Sequence, residues 1–560
     1  MPSKYALLRC RVGCVCCAAI LALAACNDAW SDHYDATSTT QESGTLWDAI
    51  AAQPDLSNFA RVVEACGYDI LLSGSQAYTV FAPTNDALTT AEADVLIEEF
   101  RQQQAAGTRV NDNTVVRQFL QNHIALYKWP VSSITNDSIT LMNDKYAVLT
   151  PSTLAGQQLL STNALYSNGL LFTLGHQLDY FPNVFEYLGH DDDLDSVYRF
   201  LNSFSVYEFN DAKSVPGEIV DGQTVYLDSV SELRNTVLQR YGLINSEDST
   251  YWMLCPTNSE WRRLVGEYEP FFNYANSVNQ RDSLIYANTR LAIISGAFFS
   301  RTINSDEALR DSAVSTRAIS HSLRRMTGWE DAYYTYFKPY AQGGAFYGTE
   351  DITCSNGHVL KSPAWGISKF ETFAQTIKVE AENILAQDTI IDAVDPLIVR
   401  EVASNNPFYG KVSGNSFVEV QPDPATAQVT VQYRVPNILS GMKYDIYAVF
   451  APATAYDTLA VDETKRPNII LPTLQWLDQN GKEGRNNRMR TKTVNTAVMD
   501  TIQLVTGQTF PTSSYGLAEE QVKLRIKSNI QSNQTTTHSG TLRIDCIIFR
   551  PTELGGFAAQ

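Results

Sequence analysis

The stretch Tyr78–Leu88, YTVFAPTNDAL, decides the fold, because a near copy stands at Tyr251–Trp261 as YWMLCPTNSEW. Tyr, Pro, Thr and Asn are identical, four of eleven positions, and most of the others exchange one apolar side chain for another. In each copy a β-prone run is stopped by Pro83 or Pro256, since proline lacks the N–H that a strand ladder needs. Thr84 or Asn85, and likewise Thr257 or Asn258, then offers a side-chain oxygen to cap a following helix. The retained residues are those that turn a chain. Neither copy retains a nucleophile, base or ligand set that chemistry would require, so the motif reads as a structural corner.

Outward from the first corner, Leu46, Trp47 and Ile50 make a short helical face stopped by Pro54. Leu56, Phe59, Val62, Val63 and Cys66 recur at helical spacing up to Gly67. Val115, Val116, Phe119, Leu120 and His123 mark a further helix. Short strands are expected around Ile139, Ala147 and Leu170, the last preceded by Ser167-Asn168-Gly169, a turn in which glycine can take positive φ. The second copy keeps the order: helical Asn183–Leu201, an insertion from Pro216 to Gly242, the corner, helices through Ile294, and a closing Ser355-Asn356-Gly357. Thr84 and Asn168 are 84 residues apart, Thr257 and Asn356 are 99 apart. Two landmarks that recur in order at similar spacing indicate a duplicated domain.

With LWDAIAAQPDLSNF ahead of the corner, FLQNHI on the later helix and SNGLLFTL at the end, residues 44–181 resemble a fasciclin (FAS1) domain. Residues 182–368 keep the corner and the Asn-Gly strand and resemble a divergent FAS1-like domain. The resemblance implies a wedge of β-sheet with helices packed on it, adhesion or ligand binding at a cell surface, and no general catalytic chemistry.

From Ile377 helical spacing gives way to alternation. Val429, Val431, Tyr433 and Val435 oppose Thr430, Gln432 and Arg434; Tyr444, Ile446, Ala448 and Phe450 oppose Lys443, Asp445 and Tyr447. Leu542, Ile544, Cys546 and Ile548 alternate with Arg543 and Asp545. One face in and one out is the pattern of antiparallel sandwich strands, so residues 377–551 are expected to form a β-sandwich or jelly roll. The fold class is then multidomain: two α+β FAS1 domains, each a β-wedge with packed helices, followed by an all-β sandwich. VEAEN, GMKYDIYAVFA and LRIDCIIFRP are similar to strands of galactose-binding-like carbohydrate modules. Sugar binding needs exposed aromatic faces beside hydrogen-bonding groups. Tyr447, expected on the polar face of its strand, Tyr456 and Trp476 are the candidates, against core packing for Trp476 and plain surface for the two tyrosines. Phe271, Phe272 and Tyr274 are expected in the core.

The N-terminus reads as a bacterial lipoprotein signal. Lys4, Arg9 and Arg11 precede the apolar run VCCAAILALAA, which is too short to span a bilayer. Leu23-Ala24-Ala25-Cys26 resembles a lipobox, with Cys26 as the acylated residue; an ordinary secretory signal with a chance Cys is the alternative. Residues 1–25 are then signal peptide and 26–43 an acidic tether. Asp28, Asp32 and Asp35 resemble the acidic signals of Bacteroidetes surface lipoproteins, although a merely solvated tether would look the same. Of nine Cys, four leave with the signal and Cys26 carries lipid. Cys66, Cys255, Cys354 and Cys546 lie far apart in apolar segments, which suits buried free thiols better than a zinc site. The net charge of −19 carries no basic nucleic-acid footprint. His123 is expected in a structural role. Asp191-Asp192-Asp193 reads as an acidic turn ahead of a helix, with Ca²⁺ ligation as the alternative. No hydrolase, kinase or nucleotide motif occurs. The expectation is a non-enzymatic binding protein with no cofactor, no metal and no nucleic-acid partner. It would be anchored to the outer membrane through Cys26, face the cell exterior, and take a glycan or another extracellular ligand as accessory to a TonB-dependent transporter complex of the SusC/SusD type. The alternative is a structural subunit of an outer-membrane complex.

Overall fold

The computed structural model describes residues 43–556, apart from 210–214, 221–222, 229–230, 301–311, 316–317, 325–327, 333–334, 395–397, 485–486 and 520. The expected signal peptide, Cys26 and all but the last residue of the tether lie outside the described residues. The chain divides into two compact units at Phe181/Pro182.

In the first unit, helices α1 (Leu46–Ala52), α2 (Ser57–Ala65), α3 (Tyr68–Ser73) and α4 (Thr90–Ala105) pack on a seven-stranded sheet. Its strands are β1 (Tyr78–Pro83), β2 (Ile124–Leu126), β3 (Asp137–Thr140), β4 (Tyr146–Leu149), β5 (Thr153–Leu154), β6 (Gln157–Tyr166) and β7 (Gly169–Leu174), in the order β2-β1-β7-β6-β5-β4-β3. The corner strand β1 runs parallel to β7, Tyr78 opposite Gly169 and Pro83 opposite Leu174. All six β1 residues are buried, as a strand covered on both faces requires.

The second unit opens with the same design. It has α5 (Val184–His190), α6 (Asp195–Asn202), α7 (Thr236–Tyr241), α8 (Asn258–Tyr268) and α9 (Arg281–Ile294). The sheet runs β9-β8-β11-β10, from β8 (Tyr251–Pro256), β9 (Phe298–Ser300), β10 (Glu350–Cys354) and β11 (Gly357–Ser362). Corner strand β8 pairs in parallel with β11, Tyr251 opposite Gly357.

The corner does something other than cap the next helix in the first copy. There α4 begins at Thr90 and is capped by Thr89, which exchanges hydrogen bonds with Glu92. Asn85 instead reaches back to the start of α2. Its Oδ1 accepts from the Asn58 N–H at 3.0 Å, its Nδ2 donates to the Pro54 carbonyl at 2.8 Å, and its own N–H donates to the Asp55 carbonyl at 2.8 Å. Asn258 repeats this at α6, to the Ser196 N–H at 3.0 Å, the Asp192 carbonyl at 2.8 Å and the Asp193 carbonyl at 2.7 Å. Each partner in the second copy lies 138 residues after its counterpart in the first. Thr257 does cap α8, through a 3.4 Å bond from the Glu260 N–H.

The Asn-Gly pair is duplicated as faithfully. Asn168 Oδ1 accepts from the Leu46 N–H at 2.8 Å, and Nδ2 donates to the carbonyls of Leu72 at 2.7 Å and Gly74 at 2.8 Å. Asn356 takes the Val184 N–H at 2.8 Å and donates to Ile244 and Ser246, both at 2.9 Å. The following glycine is demanded by close approach. A Cβ at Gly169 would lie 2.2 Å from the Tyr78 carbonyl oxygen, and one at Gly357 1.8 Å from that of Tyr251. Positive φ, expected at Gly169, is absent there; Gly357 alone has it, at 148°.

The last part of the second unit is a sandwich of two sheets, antiparallel except where the strand Ala318–Arg324 pairs in parallel with Ile377–Glu380. One contains β12 (Ile377–Glu380), β14 (Ile398–Glu401), β15 (Ser416–Val420), β17 (Tyr444–Phe450), β19 (Asp500–Gln508) and β21 (Leu542–Pro551); the other contains β13 (Gln387–Ile391), β16 (Thr430–Val435), β18 (Asn468–Gln475) and β20 (Val522–Ser528). Strand β21 pairs with β17 along one edge; its other edge is shared end to end by β12 and β15. The expected alternation in β21 is broken by a bulge: Val449 faces Cys546, but Phe450 faces Ile544. Leu542 and Ile544 point into the core, and beyond the bulge Ile547 and Phe549 do so. Cys546 and Ile548 turn to the opposite face, because one extra residue reverses the side-chain phase.

The expected segments 182–368 and 377–551 fall within one compact unit with a continuous core. Phe272 and Tyr274 are fully buried, Phe272 meets Phe373 and Tyr515, and the Tyr274 hydroxyl donates to the Tyr515 carbonyl at 2.7 Å. Ser440 and Asn273 add bonds across the same seam.

Asn85→Ala should destabilise the first unit by about 1–3 kcal/mol, the cost of orphaning backbone groups at a helix start. Thr84→Ala should cost less than about 1 kcal/mol, since Thr84 contributes its backbone N–H to the Leu174 carbonyl. Calorimetric unfolding of the two variants checks the order.

Candidate functional site

The three aromatic candidates occupy three different environments. Tyr447 is buried, contrary to the expectation of an exposed sugar platform. Its strand β17 lies between β19 and β21, so its outer face is flanked on both sides, and Tyr447 packs with Val449, Cys546 and Ile548. Its hydroxyl accepts from Gln503 Nε2 at 3.2 Å. Trp476, just past β18, is half-buried against the core and meets Phe510 edge-on with centroids 5.6 Å apart. Tyr456 alone keeps a largely open ring, 52% exposed, on the loop after β17.

Tyr456 is held by an ion network. Arg400 lies over its ring, Cζ 4.5 Å from the centroid, within range of a cation–π contact. The same guanidinium donates to Glu419 Oε1 through Nη2 at 2.8 Å, Gln421 Nε2 donates to that oxygen at 2.9 Å, and Arg543 Nε donates to Glu419 Oε2 at 2.7 Å. Burial alone would raise the Glu419 pKa; the two guanidiniums and Gln421 outweigh it and hold the carboxyl below its ordinary value. Asn406 Nδ2 donates to the Thr454 carbonyl at 2.9 Å, tying the two loops of this end together. Tyr409 and Leu459 are exposed on the same pair of loops. The arrangement offers an aromatic face, a guanidinium edge and apolar loop surface, which is the chemistry of binding a polar ring.

A second cluster went unnoticed in the sequence. At the β21 bulge, Glu380 and Asp545 oxygens and the Cys546 sulfur lie within 4.8 Å of one another. Asp545 accepts from the Ser413 N–H at 3.0 Å, Glu380 accepts from Ser413 Oγ at 2.6 Å, and Lys378 Nζ sits 2.9 Å from Glu380. Glu382, buried alongside, accepts from Ser416. Carboxylate oxygens in such numbers form a donor set that hard cations prefer. The thiol is no thiolate ligand here, because burial first and the neighbouring carboxyls next push its pKa well above the ordinary value. Burial pushes the Asp545 carboxyl up to about 8. A signal existed in VEAEN, with two glutamates, and in RIDC, with one aspartate, on segments that become neighbours, but separation in sequence concealed it.

The remaining candidates are structural. His123 is fully buried: Nδ1 donates to the Phe119 carbonyl at 2.8 Å and Nε2 accepts from the Leu178 N–H at 2.9 Å. Burial lowers its pKa to about 4. Asp191 of the acidic turn is engaged by Lys361 Nζ at 2.8 Å and by the Asp193 N–H at 2.9 Å. Cys66, Cys255, Cys354 and Cys546 are buried, and none of them forms a disulfide. A cleft of 760 Å³ on the first unit is lined by Gln118, Gln157, His176 and Tyr180 among others.

Residues 54–174 match the family model of the fasciclin domain. That span holds the corner, the buried His123 and the Asn-Gly strand; the second unit repeats the corner and the Asn-Gly strand and continues into all-β sheets. Among solved structures, the chain is similar to a FAS1 domain pair from the insect cell adhesion molecule fasciclin I, at 12% identity, 57% of this chain, 98% of that chain and a TM-score of 0.20. It is also similar to the C-terminal CBM6 of LamC, a marine laminarinase from Zobellia galactanivorans, at 13% identity, 31% of this chain, 99% of that one and a TM-score of 0.18. A third is the C-terminal family 22 carbohydrate-binding module of Clostridium thermocellum Xyn10B, at 12% identity, 28% of this chain, 81% of that one and a TM-score of 0.18. No curated protein matches the chain. No helix among the described residues is long and apolar enough to cross a membrane.

Asp545 makes stability pH-dependent with a defined sign. Its folded pKa, about 8, lies above the ordinary aspartate value of 3.8. Below about 4 both states are protonated; between about 4 and 8 the unfolded chain loses this proton and the folded one keeps it. The unfolded state then binds fewer protons, so this group's contribution falls as pH rises. In chelator-containing buffer, Asp545→Asn should therefore gain in unfolding midpoint relative to the parent between pH 5 and pH 8. Thermal melts at the two pH values measure this.

Proposed function

We propose that this protein is a lipid-anchored cell-surface binding protein that captures a glycan at the loop end of its sandwich. The observation that carries the reading is Tyr456, an exposed ring oriented by Arg400, whose guanidinium is locked in turn by Glu419. Side chains with little freedom left to lose are favourable contacts for a ligand, because less entropy is lost on binding. The fasciclin match over residues 54–174 supports a binding and adhesion role for the first unit. The lipobox at Leu23–Cys26 supports acylation of Cys26, and the acidic residues after it support export to the outer face of the outer membrane. In this reading the protein binds without turning its ligand over, and it hands glycan to a TonB-dependent transporter complex of a Bacteroidetes-type bacterium. A second reading, a structural subunit making protein contacts, is supported by Val206, Tyr207 and Phe209, three half-exposed apolar side chains on the strand Ser205–Phe209.

Affinity electrophoresis of the full chain in detergent, through gels containing single polysaccharides, tests the glycan reading. Retention on at least one neutral polysaccharide is expected. Tyr456→Ala should weaken it about fivefold, the loss of roughly 1 kcal/mol of aromatic contact. No retention on any polysaccharide, together with stoichiometric copurification with a membrane partner, would favour the structural reading. Metabolic labelling with palmitate should mark the parent and miss Cys26→Ala.

A further inference from the structure

A cleft of 630 Å³ opens on the second FAS1 copy beside α9 and the turn that follows α8. Two guanidiniums line it, from Arg281 and Arg290, and they are differently placed. Arg281 is committed: Nε donates to the Tyr274 carbonyl at 2.9 Å, Nη2 to Asn273 Oδ1 at 2.8 Å, and Nη1 to Asp282 at 3.0 Å. Arg290 lies over the Tyr286 ring, Cζ 3.7 Å from its centroid, and Nη1 donates to the Tyr286 carbonyl at 3.0 Å. Tyr286 is itself backed by Phe200, with ring centroids 6.1 Å apart. The ring contact and one hydrogen bond hold the Arg290 guanidinium, and among the described residues Nε and Nη2 make no further hydrogen bond.

Among the described residues, no carboxylate forms an ion pair with Arg290. Glu269, which also lines the cleft, acts on it only at longer range. Burial draws the Arg290 pKa down from its ordinary value, the mark of a charge removed from water and not fully compensated. In a chain of net charge −19, a half-buried guanidinium without a carboxylate stands out. Its planar fork matches a carboxylate bidentately. Pro270 and Ile285 supply apolar wall beside it, suited to the C–H face of a sugar ring, and the exposed Asp282 carboxylate can accept from a hydroxyl.

We propose that this cleft is a saccharide subsite separate from Tyr456, binding the carboxylate of an acidic sugar unit on Arg290 with the pyranose ring against Pro270 and Ile285. The assignment rests on the glycan-binding reading above and names the class of sugar.

The test is affinity electrophoresis of the full chain in detergent through polygalacturonate, its fully methyl-esterified form and dextran sulfate, alongside the neutral polysaccharides. The expected result is retention on polygalacturonate, loss of retention on the ester, and about tenfold weakening by Arg290→Gln with neutral-polysaccharide retention unchanged. Arg290→Lys, which keeps the charge but loses the fork, should fall between. Free galacturonate should compete with polygalacturonate for the parent chain and glucose should not, a readout that needs no variant to fold. Unchanged retention in Arg290→Gln, or no competition by galacturonate, would overturn the proposal. Equal retention on dextran sulfate, equally lost in Arg290→Gln, would overturn the sugar-carboxylate assignment in favour of a general anion site. Retention on neutral polysaccharides alone would sink this subsite and leave the Tyr456 reading standing, whereas no retention on any gel would sink both.

Discussion

Two buried asparagines, Asn168 and Asn356, make the interaction on which both copies of the duplicated frame depend. Each holds the first N–H of its copy's opening helix and two carbonyls from the segment leading into the corner strand. One carboxamide can do this because it carries an acceptor and two donors on a short stem. The N–H and the pair of carbonyls come from two segments, Leu46 against Leu72 and Gly74 in the first copy and Val184 against Ile244 and Ser246 in the second. An unpaired backbone group at such depth costs about as much as a lost hydrogen bond. The glycine that follows must then lie against the corner strand, where a Cβ would collide with a carbonyl. Parallel pairing of corner strand and Asn-Gly strand, and the reach of Asn85 and Asn258 back to their helices, complete the frame.

This frame explains which residues the second copy kept. Tyr251, Pro256, Asn258, Asn356 and Gly357 persist while the surrounding apolar residues drift, since any apolar side chain of fitting size fills a core, but few side chains make three directed hydrogen bonds. The corner was legible as a corner for that reason. Its mechanism was not, because a cap acting on a helix some thirty or sixty residues earlier leaves no local pattern. Thr84 and Asn85 stood in the right place for a local cap, yet the helix after them starts later, at Thr90.

The sandwich was legible by alternation, and alternation also produced its main errors. The β21 bulge reverses the side-chain phase between Ile544 and Ile547, which no period-two count foresees. Tyr447 alternates onto the outer face of β17, but a strand flanked by two others gives its outer face little water, and neighbouring side chains fill the rest. Tyr456 escapes because it lies on a loop. The acid cluster of Glu380, Glu382 and Asp545 and the Arg290 cleft were hidden for the opposite reason: their members are ordinary surface residues in sequence and become unusual only through what the fold places around them. Phe272, Tyr274 and Phe373 join the second FAS1 copy to the sandwich in one core, so the sites of the second unit sit on one continuous packed body.

Hydrogen–deuterium exchange on the intact chain tests the duplicated asparagine frame most directly. In the parent, peptides covering the starts of α1 and α5 should both be protected. Asn168→Ala should release protection at Leu46 and through α1 while α5 stays as it was, and Asn356→Ala should do the reverse at Val184. If exchange at Leu46 is unchanged when Asn168 is removed, the frame described here does not hold the first copy together.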